Sequence, residues 1–239
     1  VLADEDGAEG MCWSTTADLR AGIALTGLAV VSLGMVRQRR HLLLALCPLL
    51  LAIHQLIESR VWATLQHGQA DNIWSLLWGL IAAPALAFFG PVAVLLAFPH
   101  RWKQLLPSLI AGCFVGLMAV TYSCIRGVTA TQNHHVLDYN LHVPLLPLMI
   151  VLYQLATWGS LILSGDKYVR QTGIGIGLAG GIAALVDIGA YFSVWCAFGA
   201  VVILLNIRWL RHAQPAAGSA AVTVPEQRSD LVSVGLQHK

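Results

Sequence analysis

The stretch Ala52-Ile53-His54-Gln55-Leu56-Ile57-Glu58-Ser59-Arg60-Val61-Trp62 decides how this chain is read. It closes an apolar run that begins near residue 42 and ends near residue 65. A run of that length fits a membrane-spanning helix, which needs roughly 20 apolar residues at about 1.5 Å each. His54 and Glu58 are four residues apart and Trp62 follows four later, so all three share one helix face. An ionisable group inside a bilayer is costly and usually has a purpose. Counted from His41, Glu58 stands roughly 25 Å along the helix axis, in the half of the membrane farther from His41. Arg60 lies on a different part of the helix, with a stem long enough to snorkel.

Six further stretches have the same character, at about 21–36, 73–98, 105–125, 143–163, 172–192 and 194–210. The third run contains Pro84 and Pro91. The sixth is rich in glycine (Gly173, Gly175, Gly177, Gly180, Gly181), which permits close helix contact. Of 239 residues, 57% are hydrophobic and only 11% charged, against about 25% charged in a soluble domain. So few charges cannot cover a water-facing surface. The expectation is an all-α polytopic membrane protein with seven transmembrane helices, one membrane domain over 20–212, and a disordered cytoplasmic tail over 213–239. Residues 1–19 form an N-terminal extracytoplasmic segment. Its first ten residues, acidic and lacking a basic stretch before a short apolar core, are not a cleaved signal peptide. They read either as leader sequence ahead of a natural start at Met11 or as a genuine acidic tail.

Loop charge sets the orientation. Arg37, Arg39 and Arg40 follow the first run, Arg101 and Lys103 the third, Lys167 and Arg170 the fifth, and Arg208 and Arg211 close the seventh. In a seven-span chain these positions fall on one side, outnumbering the exceptions Arg20 and Arg126. Lys and Arg mark the cytoplasmic face, so the N-terminus is expected outside and the C-terminus inside, in a multi-pass protein of the cell membrane. A net charge of +2, with no Lys/Arg cluster interleaved with aromatics, gives no reason to expect a nucleic-acid partner. The five cysteines are scattered without a CxxC pair, which argues against a zinc ribbon or small disulfide scaffold.

This topology gathers polar residues from distant parts of the sequence toward the outer end: Cys12, His54, Glu58, His134, His135, His142, Asp187 and Cys196. Each has a structural alternative. Glu58 can pair with Arg60, His54 can bridge helices, and Asp187 can cap one. The loop histidines can be solvated, with His142 beside Pro144 the better placed. Cys12 and Cys196 read as a disulfide at an oxidising face, a reactive thiol pair, or two free small residues. Trp13, Trp62, Trp74, Trp158 and Trp195 also suit an interfacial aromatic belt.

Met11-Cys12-Trp13-Ser14, Gln55-x-x-Glu58 and Ser193-Val194-Trp195-Cys196 resemble a family of small bacterial seven-helix membrane proteins that open Met-Cys-aromatic-Ser. The resemblance covers Met11 to about Leu210, and Thr15 departs from the usual Ala. The size, span count and second-helix carboxyl are also similar to integral-membrane terpene cyclases of the drimentine and fungal meroterpenoid type. That resemblance implies a proton-initiated cyclisation of a prenylated, farnesyl-type substrate. Glu58 would be the general acid, His54 its orienting partner, and Asp187 or a histidine the final proton acceptor. Trp62, Trp195, Tyr191, Tyr139 and Phe192, with His142, would line the substrate, since aromatic faces stabilise a carbocation and a dry pocket keeps water from quenching it. No cofactor or metal is expected, and no DDxxD-type diphosphate motif occurs. Two rival classes stay open. One is a metal- or thiol-dependent membrane oxidoreductase using the histidines with Cys12 and Cys196. The other is a non-enzymatic receptor or transporter, although there is no internal repeat and the seventh run holds no lysine for a retinal Schiff base.

Overall fold

A computed structural model describes residues 14–68, 73–133, 136–186, 191 and 204–213. Helix α1 (Thr15–Gly34) starts at Ser14, whose hydroxyl accepts the Ala17 N–H at 3.2 Å. Such a cap satisfies one of the donors left over at a helix start. The helix therefore begins well before the expected position 21, and it takes Asp18 and Arg20 with it. A short 3₁₀ turn (Arg39–His41) leads into α2 (Leu42–Gln66). Pro48 lies inside α2 and has no N–H to offer the carbonyl of Leu44. The side-chain amide of Asn206 donates to that carbonyl instead, at 2.6 Å.

The next helix, α3 (Ile73–Ala97), contains a wide π turn at Ile81–Ala85 around Pro84. Helix α4 (Pro99–Arg126) ends at Gly127, whose φ of +74° suits glycine better than any other residue. Helix α5 (Leu146–Leu163) carries a second wide turn at Leu155–Gly159. Helix α6 (Lys167–Val186) is capped by Asp166, whose Oδ1 accepts the N–H groups of Tyr168 and Val169 at 2.8 and 3.1 Å. Residues 204–212 are helical again.

Five of these helices, α1, α3, α4, α5 and α2 with its leading turn, are long and apolar enough to cross a membrane. Their outward faces agree: Ile23, Val30, Ile110, Leu117, Ile125 and Val151 are all exposed. A row of exposed large hydrophobic side chains is unusual on a soluble monomer and is what lipid-facing helices present.

The segment between α4 and α5, expected as a loop of an all-α protein, is instead an antiparallel hairpin of β1 (Thr129–Asn133) and β2 (Val136–Asn140). Leu137 and Tyr139 alternate onto one face of β2, and Leu137 is completely buried. An isolated two-stranded hairpin is marginal in water. This one is held by the aromatic cluster of α2 and α3, which includes Trp62 and Trp78 beside Val128, Leu137 and Leu141. The contact is close at Gly79, where an added Cβ would lie 2.8 Å from a methyl of Val128.

The opposite end of the bundle has its own core around Trp209, which meets the ring of His41 edge-on at 4.9 Å and packs with Leu44, Leu105 and Val169. Gly173 and Gly177 of α6 face α5, where a Cβ on Gly177 would stand 2.9 Å from the Trp158 ring. These two glycines make the close helix contact expected of that stretch.

Candidate functional site

The site is built where α1 and α2 cross antiparallel. Gly22 lets Leu56 and the Ala52 carbonyl approach, and a Cβ there would lie 2.7 Å from the Leu56 side chain. Higher up, Ser59 Oγ donates to the carbonyl of Thr15 at 3.0 Å. These two contacts fix the register of the pair, and Asp18 of α1 comes level with the second half of α2 between them.

The result is a cluster of buried polar groups. Asp18 is 2% exposed, His54 0%, Gln55 2% and Glu58 1%. Glu58 Oε2 accepts from Gln55 Nε2 at 3.3 Å and lies 4.0 Å from His54 Nδ1. The Asp18 carboxyl is within electrostatic range of Glu58 and of the Trp62 indole. Neither Asp18 Oδ2 nor Trp62 Nε1 closes a hydrogen bond of ordinary geometry. Arg60 and Arg20 are exposed, whereas the Glu58 side chain is buried. Two carboxyls that interact through a medium of low dielectric repel each other when both are ionised.

Aromatic rings continue the cluster. The His54 ring lies 4.9 Å from that of Trp78, and Trp78 stacks flat on Tyr139 at 3.4 Å with 4° between planes. Trp62 is 1% exposed and faces the interior, so it is not a belt residue at a membrane surface. A cavity of about 100 Å³ opens on the other side of Tyr139. His142, Tyr153 and Tyr191 also line it, while Glu58, Asp18, His54 and Trp62 do not.

The structure therefore places the expected residues in two groups. His54, Glu58 and Trp62 form the carboxyl cluster, and Tyr139, His142 and Tyr191 surround the cavity. Asp187, Phe192, Trp195, Cys12 and Cys196 lie outside the described residues, as do His134 and His135. Cys47, Cys113 and Cys124 are free thiols. Among the described residues, no three His, Cys, Asp or Glu side chains come together as a metal-binding group. Sequence reasoning missed Asp18, Gln55 as a partner, and Trp78. The signal for Asp18 was the Ser14 cap, which moves the helix start ahead of the acid.

Comparison with characterised proteins and with solved structures finds no match. A family model does match, over residues 11–221, and it takes in every described residue of both groups. The chain belongs to that family, a family of unknown function designated DUF6629.

Proposed function

We propose that this protein is an integral-membrane terpene cyclase that uses a buried carboxylic acid to start the cyclisation of a prenylated, farnesyl-type substrate. The observation that carries the reading is the cluster of Asp18, His54 and Glu58, fully buried and walled by Trp62 and Trp78. In this scheme a proton passes from the Glu58 carboxyl to a terminal alkene carbon, leaving a tertiary cation on its neighbour. A second alkene attacks that cation and closes a ring. Loss of a proton from carbon to the vacated carboxylate, directly or by way of His54, ends the reaction and restores the acid. Positioned acid–base groups of this kind contribute about 10²–10⁴-fold in rate. The indole faces of Trp62 and Trp78 stabilise the cation without quenching it, by about 2 kcal/mol each when desolvated. Asp187, at the same end in a seven-span arrangement, is the second candidate for the final proton acceptor.

The seven-span, N-outside topology in the cell membrane belongs to the same proposal. Arg37, Arg39, Arg40, Lys103, Lys167, Arg170, Arg208 and Arg211 are exposed and support a cytoplasmic face opposite the hairpin. Tyr191 packs with Tyr153 and Met149 near the hairpin, whereas Trp209 packs beside His41 at the other end. The placement of these two described residues at opposite ends supports a seventh crossing.

Among the described residues no carboxyl lines the cavity, and in this scheme the Trp78–Tyr139 stack parts to admit the reacting end of the substrate to Glu58. The test is cyclisation of a farnesylated indole by membranes containing the full chain. Glu58→Gln should lower turnover at least about 100-fold, and Asp18→Asn should lower it measurably. Wild-type rates in Glu58→Gln would end the proposal.

A further inference from the structure

The cavity beside Tyr139 is too small for a farnesyl chain. Its volume is about 100 Å³. Apolar cavities of about 150 Å³ take up benzene, and sites for drug-sized ligands begin near 300 Å³. One ring is the largest group it holds without rearrangement. The space exists because the walls from α3 and α4 carry short side chains, Ala83, Val115 and Ala119.

The described lining is mostly apolar, with Asn140 and His142 on the hairpin side and the tyrosines Tyr139, Tyr153 and Tyr191 completing it. Asn140 is exposed, and its Oδ1 accepts the backbone N–H of His142 at 2.8 Å. That bond holds His142 at φ +54°, and Leu145 three residues on has the same φ. Left-handed backbone at two non-glycine residues is costly and clusters where function demands it. Leu146, also in the lining, is 44% exposed on the outer face of α5. The opening therefore lies where the hairpin meets the apolar side of the bundle, within reach of a molecule dissolved in lipid.

We propose that this cavity binds the ring headgroup of a membrane-borne substrate: a neutral, planar ring carrying one hydrogen-bonding substituent. The ring rests against Ala83 and Ala119, and the substituent meets the Asn140 amide and the His142 imidazole. This assignment rests on the reading that the substrate is lipid-borne, and it gives the headgroup and the prenyl chain separate places on either side of Tyr139.

The test uses para-fluorophenol as the probe, with fluorine NMR of the full chain in lipid nanodiscs and empty nanodiscs as the reference. Saturable binding is expected, about five-fold tighter than that of para-fluorotoluene, which lacks the hydroxyl. His142→Ala should bring the two probes together, and Ala119→Phe, which fills the cavity, should abolish saturation. Ala83→Leu serves the same purpose should Ala119→Phe fail to fold. Absence of saturable binding to the wild-type protein overturns the proposal, as does tighter binding of fluorohexane than of para-fluorophenol. Glu58→Gln should bind the probe as wild type does. Lost turnover with retained binding in that variant supports both readings, retained turnover removes the acid alone, and failed binding in the wild type removes the cavity alone.

Discussion

Tyr139 lies flat on Trp78, ring centroids 3.4 Å apart and planes within 4° of parallel. One ring comes from a hairpin strand and the other from α3, so this contact ties the hairpin to the bundle. Tyr139→Ala should destabilise the protein by about 2–3 kcal/mol through lost stacking and lost burial. Tyr139→Phe keeps the stacked ring and should cost under about 1 kcal/mol. Thermal unfolding in detergent, followed by circular dichroism, distinguishes the two.

The two carboxyls of the site act as a unit. Asp18→Asn and Glu58→Gln should each change stability, and the double variant should differ from their sum by about 1 kcal/mol. Effects that add to within about 0.3 kcal/mol would mean that the carboxyls do not interact. Denaturant unfolding of the three variants supplies the cycle.

Gly22 sets the distance between α1 and α2. A leucine there meets Leu56, because even a Cβ would come within 2.7 Å of it. Gly22→Leu should cost about 1–3 kcal/mol by overpacking and should draw Asp18, one helical turn away, from Glu58. Adding Leu56→Ala should recover most of the loss.

At the far end, Asn206 occupies the place that a backbone N–H would have held. Asn206→Leu leaves the Leu44 carbonyl buried without its donor, a loss of about 1–2 kcal/mol. In a Pro48→Ala background the new N–H of residue 48 reaches that carbonyl, and the same substitution should then cost under about 0.5 kcal/mol. Equal costs in both backgrounds would show that Asn206 does not act through the Leu44 carbonyl.

The Tyr153 hydroxyl donates to the Ala82 carbonyl at 2.7 Å, within the wide turn of α3. Tyr153→Phe removes that bond and should cost about 1 kcal/mol. A melting temperature equal to that of wild type would assign the bond no weight.

Local pattern made part of this arrangement legible. His54, Glu58 and Trp62 follow one another at four-residue spacing within a single apolar run, so their shared face could be read directly. Asp18 could not be read that way, because it lies near a polar N-terminus and its depth depends on a cap. Trp78 and Tyr139 are joined only through the hairpin register, which no helical periodicity reveals. The hairpin itself was hidden because Gln132, Asn133 and Asn140 give its sequence the look of a loop. Tyr139, His142 and Tyr191 were legible as residues of one end of the bundle, but their separation from Glu58 depends on which way each ring packs.

The wide turns in α3 and α5 each hold one more residue than a regular helical turn. Beyond such a turn, the azimuth of every later side chain is rotated by about one residue's worth of helix. A family member one residue shorter at Ile81–Ala85 would still keep both ends of that helix in place, with Trp78 before the deletion facing Tyr139 as before. Positions in α3 should therefore be matched between relatives separately on each side of Pro84, since a single ungapped helical phase would put core residues of one protein against lipid-facing residues of another.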